Sequence, residues 1–174
     1  GGGHLVACIP RDEDDLPPFD PDSSHVAYDR WFDYRRYDRL GRTPLFNIGH
    51  GSAQTVLRSK AGRIVSDTLA PDADVEVRAV ISNDGPCTAE PLLTLFAGRA
   101  NEDGSRERRS LRGFAKCEIA PGESKELAAR FPATDLALFD VASGEWRLEA
   151  GPHRVWASIS GTPPSLLGEV RVRP

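Results

Sequence analysis

The sequence predicts a mostly β protein: an antiparallel, two-sheet β-sandwich of immunoglobulin type behind an irregular N-terminal extension. Three observations carry that expectation. About seven short strand-like runs recur at regular spacing over roughly 100 residues. Turn-forming clusters separate them. The first 52 residues, rich in Pro, Asp and aromatics, show no clean periodicity.

The strongest single element is "DVEVRAVISNDG". Val75, Val77, Ala79 and Ile81 alternate with Glu76, Arg78 and Ser82, so one side of an extended chain is apolar and the other polar, as in a half-buried strand. Asn83-Asp84-Gly85 follows and supplies residues that tolerate a turn. Further strands are expected over 91–97, 109–119, 124–131, 145–150, 153–160 and 167–173, with "NEDGS" (101–105) and "APGES" (120–124) as punctuation. The run 133–140, "ATDLALFD", suits either one helical turn or a short strand. Each inward Val, Ile, Leu or Phe contributes about 1.5–3 kcal/mol on burial, so two such faces suffice to hold a domain of this size. Trp146 and Trp156 are assigned to that core or its edge.

The extension reads differently. "PRDEDDLPPFDPDSS" (10–24) is expected to be an irregular, solvated acidic loop, because its prolines fix φ and remove donors. The stretch 28–51, "YDRWFDYRRYDRLGRTPLFNIGHG", crowds aromatics with Arg30, Arg35, Arg36, Arg39 and Arg42 and interleaves Asp29, Asp33 and Asp38. Arg beside Asp favours ion pairs, and flat rings accept guanidinium groups. That mixture suits a packed junction better than a continuous platform, since "DRLG" and "GHG" insert turns.

Composition narrows the function classes. The chain of 174 residues is 39% hydrophobic and 28% charged, with net charge −4. A general nucleic-acid binder would carry a basic excess, so no nucleic-acid partner is expected. No apolar run is long enough to span a membrane, so no membrane partner is expected. The start, "GGGHLVACIP", lacks the charged leader and apolar core of a signal peptide. Methionine is absent, even at position 1, which reads as a processed chain or a piece of a longer one. Localisation is not legible. Cys8, Cys87 and Cys117 are too few and too scattered for a disulfide framework or a zinc site; Cys87 and Cys117 read as small, half-buried residues.

A search for chemistry returns no catalytic, cofactor-binding or metal-binding residue. "GHGSA" (49–53) does not have the spacing of a nucleophile elbow, so Ser52 reads as a turn residue. His4, His25, His50 and His153 share no ligand spacing, and Asp12–Asp15 lacks the glycine and spaced ligands of a calcium loop. Asp29, Asp33, Asp38, Asp140 and Glu145 are carboxylates of the kind a glycosidase uses in pairs, yet none is marked out.

The order of the motifs adds a resemblance. "GHLVACIPRDEDDLPPF" (3–19), "YRRYDRLGRTPLFNIGHG" (34–51), "LRGFAKCEIAPGES" (111–124) and "TDLALFDVASGEWRLEAG" (134–151) resemble, in this order, the C-terminal end of glycoside hydrolase family 3 enzymes of the β-glucosidase type. The resemblance implies that residues 1–52 are the remnant of the end of an α/β-sandwich hydrolase domain plus linker. Residues 53–174 would then be a fibronectin type III-like β-sandwich domain. It also implies hydrolysis of terminal β-D-glucosyl residues by the full-length enzyme, no cofactor, and partnership with the catalytic domains of the parent hydrolase or another chain. Carbohydrate would be met only through the full-length enzyme. The family's catalytic nucleophile and acid/base residue lie in regions with no counterpart here, so the portion is expected to be structural. Val6 and Cys8 stand where the family has Pro and Thr, "GHGSAQT" (49–55) replaces G-L-S-Y-T, and His153 replaces a common Tyr. The other reading of the residues is a stand-alone carbohydrate- or surface-binding β-sandwich module, motivated by the aromatics near Trp31 and Trp156.

Overall fold

The computed structural model describes residues 3–51, 55–60, 62–65, 67–99 and 108–173. Ser52 and the turn at 101–105 therefore lie outside the described residues. The strands are β1 (Leu57–Ser59), β2 (Arg63–Ile64), β3 (Thr68–Leu69), β4 (Asp74–Asn83), β5 (Leu92–Arg99), β6 (Ser110–Lys116), β7 (Ser124–Pro132), β8 (Leu138–Asp140), β9 (Glu145–Arg147), β10 (Gly151–Ile159) and β11 (Ser165–Val172). Among the described residues, one α-helix, α1 (Tyr34–Leu40), precedes them.

Nine of these strands form two facing sheets. In the first, β4 pairs with β7 along one edge and with the short β1 and β2 along the other. The second runs β3-β11-β10-β5-β6, antiparallel except where β3 lies parallel to β11. The alternation of β4 is realised in full: Val75, Val77, Ala79 and Ile81 are buried against Leu127, Ala129 and Phe131 of β7 and against Leu93, Leu95, Val155, Ala157, Val170 and Val172 of the second sheet. Outward-facing Glu76 joins Arg78 and Arg130, whose hydrogen bonds hold its carboxyl below the usual range. The run 133–140 supplies both structures the sequence allows: a 3₁₀ turn over Ala133–Leu136, then β8.

The turn after β4 is built around one residue. Asn83 is fully buried. Its amide nitrogen donates to the carbonyls of Cys87 (2.8 Å) and Ile119 (3.0 Å). Its amide oxygen accepts from the Thr55 hydroxyl (2.6 Å) and the Gly85 N–H (3.1 Å). Both donors and both lone pairs are used, which is what allows a primary amide in a core.

Two assignments from sequence are corrected. Trp156 is buried, but Trp146 is 72% exposed. It sits on the β8–β9 hairpin, which forms a two-stranded sheet of its own and belongs to neither face of the sandwich. Cys87 is exposed rather than half-buried, because it follows the turn instead of entering a strand; Cys117 is half-buried as expected. Burial pushes the Cys117 thiol up.

His153 lies on the inner side of β10, two residues before Val155, and is 1% exposed. Its Nε2 meets the Glu149 carbonyl at 3.0 Å. Burial is the main reason its pKa falls below the ordinary histidine value, and the Arg99 and Arg112 charges add to the fall, against the Glu149 carbonyl and carboxylate. The folded state thus favours the neutral ring. The unfolded chain binds a proton near pH 6.5 and the folded one only at lower pH, so stability is complete above about pH 6.5 and declines as the pH drops below it. Denaturant midpoints taken between pH 7.5 and 5 are expected to fall for the wild type. His153→Phe removes the part of the slope that begins near pH 6.5; an unchanged slope would show that His153 does not set it.

Candidate functional site

The second sheet carries side chains on both faces, and its outer face positions the site. Strand β10 sends Val155 and Ala157 into the sandwich and Trp156 the other way; β5 does the same with Leu95 and Phe96. Trp156 and Phe96 would be an exposed aromatic surface if nothing covered them. The N-terminal extension does, through Tyr34, Cys8 and Ile48.

The extension holds its shape by closing on itself. Residues near its start run antiparallel to residues near its end. The Leu5 N–H donates to the His50 carbonyl and the Gly49 N–H to the Leu5 carbonyl, each at 2.8 Å; the Ile9 N–H donates to the Phe46 carbonyl at 2.9 Å. Helix α1 lies between these segments and ends at Gly41, whose φ of 63° is the left-handed stop that favours glycine. Asp33, just before α1, has φ 57° and ψ −136°, a region costly for any residue with a Cβ. Its Oδ1 accepts the Cys8 N–H at 2.7 Å, which compensates. Asp33→Ala loses that bond and keeps the strain; Asp33→Gly loses the bond but relieves the strain. Ala is expected to be less stable than Gly by about 1 kcal/mol in urea unfolding, opposite to their order inside a helix or strand.

A second clasp fixes the acidic loop. Asp15 is 4% exposed, which corrects the expectation of a wholly solvated "DEDD". Its carboxylate accepts from the Arg11 N–H at 3.1 Å and pairs with Arg42 at 3.1 Å. Arg36 donates to the carbonyls of Asp15 (2.8 Å) and Leu16 (2.9 Å). Burial alone would raise the Asp15 pKa, but the Arg11 amide and the Arg42 guanidinium outweigh it and hold the carboxyl below its ordinary value.

Where the extension meets the sandwich, the contacts are specific. The Tyr34 hydroxyl accepts the Leu111 N–H at 3.0 Å, and its ring meets Phe96 edge-on with centroids 5.4 Å apart. Arg109, at the entry to β6, pairs with Asp38 of α1 at 2.6 Å; their side chains are 13% and 11% exposed. The same guanidinium lies over the rings of Phe96 and Trp156, 5.5 and 6.0 Å from their centroids. At the other end of the sheet His50 sits on the turn containing Gly161, so closely that a Cβ there would lie 2.5 Å from the His50 Cα.

Two ion pairs of the stretch 28–51 are made at long range. Asp38 reaches Arg109, and Arg42 reaches Asp15. Sequence reasoning did not find Phe96, Arg109, Leu111 and Gly161 as partners of this stretch. Trp31 is half-buried between Arg30 and Arg39, 5.1 and 4.7 Å from its ring centroid, so neither it nor Trp156 offers a free ring.

Of the carboxylates weighed as catalytic pairs, the four aspartates make structural contacts. The Asp29 Oδ1 accepts the Trp31 N–H, Asp33 the Cys8 N–H, and Asp38 the Arg109 guanidinium. Asp140 accepts from the Ala142 N–H and the Ser143 hydroxyl, both at 3.0 Å, and meets Arg147 at 3.3 Å. Asp140 and Glu145 are opposite residues of the β8–β9 hairpin. The Cys8 thiol is pushed up to about 12, first by burial and then by the Asp33 charge, so it stays protonated and unreactive at neutral pH. Among the described residues, no group of three or more His, Cys, Asp or Glu side chains is placed to hold a metal ion, and no helix is long and apolar enough to cross a membrane.

Residues 93–160 match the fibronectin type III-like domain model. They span β5 to β10, the heart of the second sheet and the strands that the extension covers. A curated protein of Emericella nidulans named probable beta-glucosidase H is 30% identical over 133 residues, covering 76% of this chain and 16% of its own length. The chain belongs with the C-terminal region of the family 3 β-glucosidases. Among solved structures, the β-glucosidase of Kluyveromyces marxianus superposes on 99% of this chain and 21% of its own, with a TM-score of 0.79 and 24% identity. β-Glucosidase 3B of Thermotoga neapolitana, solved with α-D-glucose, covers 99% of this chain and 26% of its own, at 27% identity and a TM-score of 0.72. The chain therefore spans about a quarter or less of these β-glucosidases. The superposition takes in the extension together with the sandwich, so the two are shared as one block.

Proposed function

We propose that the chain is the non-catalytic C-terminal portion of a β-glucosidase-like glycoside hydrolase, and that its role is to support the catalytic domains. Residues 1–52 would be the end of an α/β-sandwich hydrolase domain plus linker, and 53–174 the fibronectin type III-like domain. The full-length enzyme would hydrolyse terminal β-D-glucosyl residues. The observation that carries this reading is that most or all of the chain aligns with a small part of much longer β-glucosidases.

The surface of the extension supports it. Val6, Ile9, Leu16, Phe19, Val26, Tyr28, Phe32, Leu40, Leu45 and Phe46 are all exposed large apolar residues. They belong to a segment less than half as long as the sandwich, which exposes fewer of them among the described residues. Monomeric surfaces do not concentrate apolar side chains in this way unless another surface covers them. The partner that fits is the catalytic part of the same hydrolase, in the same polypeptide or as another chain, and it is through that part that carbohydrate would be met.

The test is an assay of the purified 174-residue chain against an aryl β-glucoside. No turnover is expected, and addition of the chain to a catalytic portion lacking it is expected to raise that portion's thermal stability. Turnover by the chain alone, abolished by Asp140→Asn or Glu145→Gln, would refute the supporting role.

A further inference from the structure

The β8–β9 hairpin presents an apolar face that the fold leaves uncovered. Phe139 and Trp146 are opposite residues, 51% and 72% exposed, with rings edge-to-face and centroids 5.5 Å apart. Val141 at the tip is 86% exposed. Side chains alternate across a strand, so Asp140, Glu145 and Arg147 occupy the opposite face.

The hairpin is braced rather than loose. Asp140 ties down its turn through Ala142, Ser143 and Arg147. Gly144, with φ 71°, supplies the left-handed residue the turn needs. Leu136 before it is buried in the sandwich core, and Leu148 after it packs against that core. The apolar face therefore continues outward from the interior on a rigid mount.

Resting on the reading of the chain as part of a longer hydrolase, we infer that this hairpin is a second docking point for the remainder of that hydrolase, separate from the face of the extension. Two observations favour protein over sugar as the occupant. The ring planes are inclined at 64°, so they offer no flat platform for a pyranose. The charged groups that would bond sugar hydroxyls are on the other face. A Trp and a Phe projecting from a fixed mount are instead the anchors a protein interface buries. The solved β-glucosidases have about three-quarters of their chain or more outside the matched part, which is ample to cover it.

Hydroxyl-radical footprinting read by peptide mass spectrometry tests this. The peptide carrying Phe139 and Trp146 is expected to be oxidised several-fold faster in the isolated 174-residue chain than in the long, active protein. Trp146→Ser is expected to lower the thermal inactivation temperature of the long protein and to leave the unfolding temperature of the isolated chain unchanged. Equal oxidation in an active long protein would overturn the inference while leaving the hydrolase reading intact, as would protection that appears only on adding β-glucan. A native protein found only as an inactive 174-residue species would overturn both.

Discussion

Gly161→Ala is expected to destabilise the chain by about 2–4 kcal/mol, measured by urea unfolding followed through tryptophan fluorescence. Two effects combine. Gly161 has φ +77°, which disfavours a side chain, and a Cβ there would meet the Cα, N and Cβ of His50 at 2.5, 2.6 and 2.7 Å. The first two are backbone atoms and cannot swing aside, so the extension must lift from the turn after β10. Gly144→Ala is the control. Its φ is +71°, but nothing lies within 4 Å of the added carbon, so only the conformational cost of about 1–2 kcal/mol applies. Equal losses from the two substitutions would show that the extension does not press on Gly161.

Arg109→Leu is expected to cost about 3–5 kcal/mol in the same measurement, because it removes one partner of a nearly buried ion pair. Asp38 keeps its charge in a place that is 11% exposed, and Phe96 and Trp156 lose the guanidinium above them. The double variant Arg109→Leu with Asp38→Leu is expected to recover at least half of the loss, since it also removes the charge that Arg109 paired. A double variant as unstable as Arg109→Leu would place the cost in the lost stacking rather than in the broken ion pair.

These two sites sit at opposite ends of one sheet, and neither was legible in the chain. The sandwich was, because a strand buried on one face writes its environment into every second residue. Val75 to Ile81 needed no partner to be read. Strands β1, β2 and β3 have two or three residues each, too few for a period to show. Helix α1 has seven residues, short of what propensity alone stabilises; it exists because Tyr34 and Tyr37 are buried and Asp38 is paired.

The tryptophans mark the limit most clearly. Trp146 and Trp156 stand in similar strand-like runs, and local pattern treats them alike. Trp156 is buried because a separate segment more than 100 residues earlier in the chain lies over its strand. Trp146 is exposed because its hairpin leaves both sheets. Asp15 makes the same point for charge: the acidic run around it predicts solvation, but Arg42, 27 residues away, decides otherwise. The candidate carboxylates could be named from sequence, whereas their structural hydrogen bonds depend on turns and packing. The family resemblance supplied what local pattern lacked, since it joined 3–19, 34–51, 111–124 and 134–151 into one ordered block.

The most direct test of the central claim is the intact mass of the native protein, with β-glucosidase activity assayed on the same sample. A species several times larger than 19.0 kDa that hydrolyses an aryl β-glucoside is the expected result, and it makes this chain the supporting end of a hydrolase. An inactive native species of 19.0 kDa would contradict the account.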